Sequence, residues 1–187
     1  PLWNPIGYLD VVNKGYLLEL PYLGIDETLP RIMKDQEVFN AVIGIGQIRN
    51  IEDRKKIVRN IESIGISLPV LVSSRALVNE DVKIGNGTVI MDGVIIQPGA
   101  RIGNYSIINT GATVDHDCHI GNFVHIAPGV NLSGDVRIEN SVLVGVGACV
   151  IQNVHISKDV IVAAGSVVVN SILESGTYAG IPARKIY

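Results

Sequence analysis

Residues 102–138 read IGNYSIINTGATVDHDCHIGNFVHIAPGVNLSGDVRI. Within this stretch Ile102, Ile108, Val114, Ile120, Ile126, Leu132 and Ile138 fall at every sixth position. The same step runs back through Ile96, Ile90 and Ile84 to Val78, and forward through Val144, Val150, Ile156 and Val162 to Val168. All sixteen positions are Ile, Val or Leu, and four residues after each stands a small or β-branched residue such as Ala112, Cys118, Val124 or Val130. A helical period would scatter these positions around the axis, and simple strand alternation has no need of a hexad. A parallel β-helix of hexapeptide repeats accounts for both: three hexads close one triangular coil, with the aliphatic position pointing inward. Sixteen hexads make a little over five coils.

Composition fits this reading. The chain has 187 residues, 47% of them hydrophobic, with one Trp, six Tyr and two Phe against 27 Ile, 25 Val and 20 Gly. Its core is therefore aliphatic, and disorder is excluded. A net charge of −3 carries no polyanion-binding signature, so nucleic acid is not expected as a partner. The longest apolar run, Val160–Val169, is about half of what a membrane-spanning helix needs, which points away from a membrane and toward the cytoplasm. Cys118 and Cys149 are expected to be free thiols in a reducing compartment.

Residues 1–72 lack the hexad and read as a small α/β domain. A strand is expected over 39–45, an amphipathic helix over 47–64 with Ile48, Ile51, Val58, Ile61 and Ile64 on one face and Asn50 as N-cap, and a second strand over 68–72. Strand, helix, strand in that order suggests a parallel sheet. Residues 73–187 form the β-helix, with a tail from Glu174 that leaves the hexad at Gly176, Gly180 and Pro182.

With the hexads in place, the segments INTGATVDHDCHIG (108–121), NFVHIAPGVNLSG (122–134) and GIPARKI (180–186) resemble the left-handed β-helix acyltransferases. Among these the chain is similar to the sialic-acid O-acetyltransferase and bacterial nucleotide-sugar N-acetyltransferase family, which joins a small Rossmann-like unit to the β-helix. Tyr8-Leu9-Asp10 and Ile43-Gly44-Ile45-Gly46 match that family's small domain. Its opening strand and His-containing glycine turn have no counterpart here, so the unit is expected to lack its first strand.

The resemblance implies an acetyl-CoA-dependent transferase acting on the amino group of a nucleotide-linked amino sugar, such as a UDP-4-amino-4,6-dideoxy sugar, in glycan or polysaccharide synthesis. Acetyl transfer needs a base for the acceptor and a donor for the thioester oxygen. His116 is implied as the base and Asp117 as its supporting carboxylate. Adjacent strand residues point to opposite sides, so their pairing requires a bend. His125, Gly134, Val146 and Ala164 are implied contacts of acetyl-CoA, while Asp10, Gly46 and Asn109 are implied contacts of the acceptor. Arg184 and Lys185 are placed to meet coenzyme A phosphates.

His125 lies one and a half hexads beyond His116, so the two share a site only across a corner or from neighbouring chains. The resemblance implies the latter, in a homotrimer. His119 and His155 end their hexads and should point outward. Prisms of this kind that bind zinc use a His pair five residues apart, and none of the four histidines is so spaced; no metal is expected. Two alternatives remain open at this point: O-acetylation of sialic acid, and a non-catalytic trimerisation scaffold.

Overall fold

The computed structural model describes residues 3–36, 40–46 and 51–187. Two compact units emerge, one of residues 1–41 with 60–67 and one of residues 42–59 with 68–187.

In the first unit the extended segment Leu20–Gly24 pairs parallel with Tyr8–Leu9 and antiparallel with Tyr16–Leu17. The rings of Tyr8 and Tyr22 meet across the parallel pair at 5.6 Å. Helix α1 (Leu29–Gln36) follows, and Asn40 forms a parallel bridge with Ser67. The strand expected over 39–45 is not formed in its described part: residues 41–46 have no regular structure, and Phe39 lies outside the described residues. Helix α2 (Ile51–Ser63) falls within the expected span; Asn50, its expected cap, and Ile48 lie outside the described residues. Its buried stripe is Arg54, Val58 and Ile61, so an arginine occupies a place where the periodicity would put an aliphatic.

The second unit is dominated by the β-helix. Each hexad supplies a two-residue strand and a turn, and each strand pairs in parallel register with the strand three hexads away: Ile107 with Val89 below and His125 above. Three sheets result. The first contains Val89–Ile90, Ile107–Ile108, His125–Ile126 and Leu143–Val144; the second Ile95–Ile96, Thr113–Val114 and Asn131–Leu132; the third Arg101–Ile102, His119–Ile120 and Arg137–Ile138. The hexad positions Ile96, Ile108, Val114, Ile126 and Val144 have no exposure, and Val94, Ala112, Cys118 and Val130 are equally closed to solvent. The two registers of the repeat thus fill one continuous aliphatic column.

The segment expected as a strand over 68–72 belongs to this column rather than to the α/β unit. Leu71–Val72 pairs with Val89–Ile90 as the first rung of the first sheet. Pro69 has no N–H to give the ladder, and the first ladder bond comes from Leu71 N–H to Thr88 O at 3.0 Å.

Turn chemistry differs from corner to corner. Between the third and first sheets, the side-chain oxygens of Asn104, Asn122 and Asn140 accept from the backbone N–H groups of Asn86, Asn104 and Asn122 at 2.9, 2.7 and 2.7 Å. This ladder explains the repeated Gly-Asn pairs: a β-carbon on Gly103 would lie 2.6 Å from Asn122 Oδ1. The chain's end, Gly176–Ala179 and Arg184–Lys185, pairs antiparallel and extends the first sheet.

Candidate active site

His116 and Asp117 lie in the turn between Thr113–Val114 of the second sheet and His119–Ile120 of the third. Asp117 has φ +59°, in the left-handed region, so the backbone turns and brings two adjacent side chains to one side. His116 Nδ1 stands 2.9 Å from Asp117 Oδ2. A carboxylate oxygen only accepts, so Nδ1 is the donor and the lone pair resides on Nε2. Nε2 has no hydrogen-bond partner among the described residues.

Both side chains are exposed, at 62% and 66%, so the imidazole is open to a reactant. The hydrogen bond to Asp117 raises the His116 pKa; loss of solvent opposes this, and the charges of Asp115, Asp117 and Asp135 add to the rise.

The pair is seated by residues one coil away on either side. The His116 ring lies against Gly134, where a β-carbon would stand 2.5 Å from Nε2. Asp117 lies against Gly99 in the same way, and its N–H donates to Pro98 O at 3.1 Å. Above, Asp135 N–H donates to His116 O at 2.9 Å, and Asp115 Oδ1 accepts from His116 N–H at 2.7 Å. Gly99, Asp115 and Asp135 were not singled out in the sequence; a three-hexad step from Asp117 in either direction reaches Gly99 and Asp135 and is the signal that finds them.

His125 lies elsewhere. It sits in the first sheet between Ile107 and Leu143, is 7% exposed, and its Nε2 is 3.2 Å from Asn109 Nδ2. Asn109 Oδ1 accepts from Thr110 N–H at 2.8 Å and Thr110 O–H at 3.3 Å, which turns the amide nitrogen toward His125 and makes Nε2 the acceptor. The first sheet is the side of the triangle opposite the corner that carries His116, so on one chain the two rings do not meet across a corner.

Of the other residues implied for acetyl-CoA, Gly134 joins His116. Val146 and Ala164 stack one coil apart at the corner between the first and second sheets, both exposed, with Gly165 N–H on Val146 O at 2.8 Å. Lys185 is paired with Glu174 at 3.0 Å, whereas the Arg184 guanidinium bonds only the neighbouring Ala183 O among the described residues. In the first unit Asp10 accepts from Lys14 Nζ at 2.7 Å and Val12 N–H at 3.1 Å, contacts that lower its pKa, with Lys14 the larger cause. Among the described residues nothing stands within 4 Å of where a β-carbon on Gly46 would be.

His119 and His155 point outward from the third sheet, in register with Lys83, Arg101 and Arg137. They border a groove of about 600 Å³ along that face. Within it His155 meets Glu139 at 2.9 Å and Arg137 meets Asp135 at 3.3 Å, while Lys83 and Arg101 have no ion pair among the described residues. Cys118 is buried, its thiol donates to Ser133 O at 3.2 Å, and burial pushes its pKa up to about 11, so it is no nucleophile. Among the described residues no group of three or more His, Cys, Asp or Glu could hold a metal ion, and no helix is long and apolar enough to cross a membrane.

A hexapeptide prism carrying an exposed, carboxylate-supported imidazole at a corner is the arrangement expected of the left-handed β-helix acyltransferases. The bacterial transferase hexapeptide family model (six repeats) matches residues 81–116. No curated protein matches the chain.

Among solved structures, the acetyltransferase domain of PglB from Neisseria gonorrhoeae FA1090 is 35% identical, with a TM-score of 0.89 over 98% of this chain and 88% of that one. PerB from Caulobacter crescentus, in complex with CoA and GDP-perosamine, is 36% identical, with a TM-score of 0.88 over 95% and 83%. WeeI from Acinetobacter baumannii AYE is 28% identical, with a TM-score of 0.86 over 95% and 84%. The chain belongs to this family of bacterial nucleotide-sugar N-acetyltransferases, and it is an enzyme that uses acetyl-CoA as cosubstrate.

Proposed function

We propose that the chain transfers the acetyl group of acetyl-CoA to the 4-amino group of a UDP-linked 4-amino-4,6-dideoxy sugar, in the cytoplasm, during assembly of a bacterial glycan or polysaccharide. The observation that carries this reading is the His116–Asp117 pair, with Nδ1 committed to the carboxylate and Nε2 left to accept a proton. The amine nitrogen attacks the thioester carbonyl carbon and the carbon–sulfur bond breaks. Nε2 takes the proton that the nitrogen loses and returns it to the departing thiolate. Asp117 stabilises the imidazolium formed between those two events.

The site is complete only in a homotrimer. One corner holds His116, Asp117 and Gly134, while the first sheet and its edge hold His125, Asn109, Val146 and Ala164. Threefold packing of parallel prisms sets the corner of one copy against that wall of the next. His125 then holds the thioester oxygen through Nδ1–H, the ring proton that remains when Nε2 accepts from Asn109, and the backbone at Gly134, Val146 and Ala164 lines the coenzyme. Asp10, Gly46 and Asn109 serve the acceptor.

Support comes from the family: PerB was solved with CoA and a GDP-linked amino sugar, and the PglB domain with acetyl coenzyme A. The test is incubation with acetyl-CoA and either the UDP-linked amino sugar or sialic acid, with products identified by mass spectrometry. Acetylation of the amino sugar alone is expected. Acetylation of sialic acid alone would replace this acceptor with the other.

A further inference from the structure

Arg54 is the only charged side chain with no exposure among the described residues. Burial lowers its pKa, and no carboxylate among the described residues pairs with it. Its guanidinium instead holds two backbone carbonyls. Nη1 donates to Ile45 O at 2.6 Å, while Nε and Nη2 donate to Tyr105 O at 3.4 Å each. Ile45 immediately precedes Gly46. Tyr105 occupies the turn between the third and first sheets, in the left-handed conformation at φ +57°, with its ring 4.9 Å from that of Phe123. Lys55 Nζ, one residue on from Arg54, stands 6.0 Å from the centre of the Phe123 ring.

Burying a cation without a counter-charge is costly, and an aliphatic at this place in α2 would bury at lower cost. What arginine alone supplies is a rigid fork that fixes two carbonyls from distant segments at set distances. The segment it fixes, 41–46, has no ladder of its own in 42–46, so its position depends on such outside bonds.

We infer that Arg54 is a positioning residue for the acceptor: it ties the glycine segment Ile43–Gly46 to the Tyr105 turn and so sets where the nucleotide sugar stands relative to the prism. The inference rests on the reading of Gly46 as an acceptor contact. It places Arg54 in control of acceptor binding and leaves acetyl-CoA untouched.

Arg54→Lys and Arg54→Met, purified as the full chain, separate this from a general loss of structure. Steady-state kinetics with the UDP-linked amino sugar should show the acceptor KM rising on the order of tenfold in Arg54→Met, the equivalent of about 1.4 kcal/mol, with the acetyl-CoA KM within twofold of wild type. Arg54→Lys should fall between, because one ammonium cannot span both carbonyls.

Limited proteolysis provides a readout that needs no turnover. Thermolysin, which cuts before aliphatic residues, should cleave within residues 42–46 faster in both variants than in wild type, while the β-helix stays intact. Unchanged cleavage within 42–46 would overturn the clamp, and equal rises in both KM values would overturn its specificity for the acceptor. If Arg54→Met does not fold, Arg54→Lys decides both points. A wild-type enzyme that ignores every nucleotide-linked amino sugar sinks the acceptor reading, with the clamp still judged by proteolysis.

Discussion

Gly134 carries no side chain because the imidazole of His116, from the neighbouring coil, occupies the place where its β-carbon would be, 2.5 Å from Nε2. The imidazole and its seat are three hexads apart in sequence and adjacent in space. Gly134 has no left-handed backbone to complicate a substitution. Gly134→Ala should therefore push the ring aside and lower kcat/KM on the order of a hundredfold, the scale expected for displacing a reacting group by about 1 Å. Thermal melts should stay close to wild type, since the ring is exposed; a variant with normal rates would mean that the seat has no part in catalysis.

The Asp117 hydrogen bond raises the His116 pKa, and the acid limb of the rate profile should report it. In the proposed mechanism His116 acts only when unprotonated, so a raised pKa moves that limb toward higher pH. In Asp117→Asn the charge is gone, the His116 pKa falls back, and the limb should move to lower pH while the maximal rate drops. The measurement is kcat/KM against pH for both proteins. A limb that stays in place, or moves upward, would show that Asp117 does not set the titration.

His116 and His125 belong to opposite parts of one prism, which leads to a subunit-mixing experiment. His116→Ala and His125→Ala should each be nearly inactive alone. Co-expressed and mixed within the proposed trimer, they should regain activity in about a quarter of the sites, since each repaired site needs the right residue from each of two neighbours. No recovery in mixtures whose mass confirms exchange would rule out sites shared between subunits.

The prism's interior should respond as a packed core. Ile126 has no exposure and sits within the aliphatic column, so Ile126→Ala should destabilise the protein by about 2–5 kcal/mol in denaturant unfolding at fixed protein concentration. A loss below this range would mean that the column collapses around the gap.

The hexad was legible because the β-helix repeats its demand at every third of a coil, and each inward aliphatic from Ile90 to Val168 proved buried. The first unit was much less so. Tyr8–Leu9 and Tyr16–Leu17 are two-residue strands, too short for any periodicity to show, and Leu20–Gly24 contains Pro21. Leu68–Val72 had the composition of a buried strand, but an apolar run cannot announce which sheet it will join, and it joined the prism. Arg54 was missed for a related reason: a charged residue on an amphipathic helix reads as solvent-facing until partners from distant segments are seen.

By itself the sequence determined which residues face the interior and that His116 and Asp117 are neighbours along the chain. Whether neighbours cooperate is a matter of backbone torsion. The left-handed φ at Asp117 turned two side chains that would otherwise diverge onto one side. Coil stacking then brought Gly99 and Gly134 against them and placed His125 on the opposite face. A period of six separates inside from outside; only the folded coil, closing once in every three hexads, decides which outward groups meet.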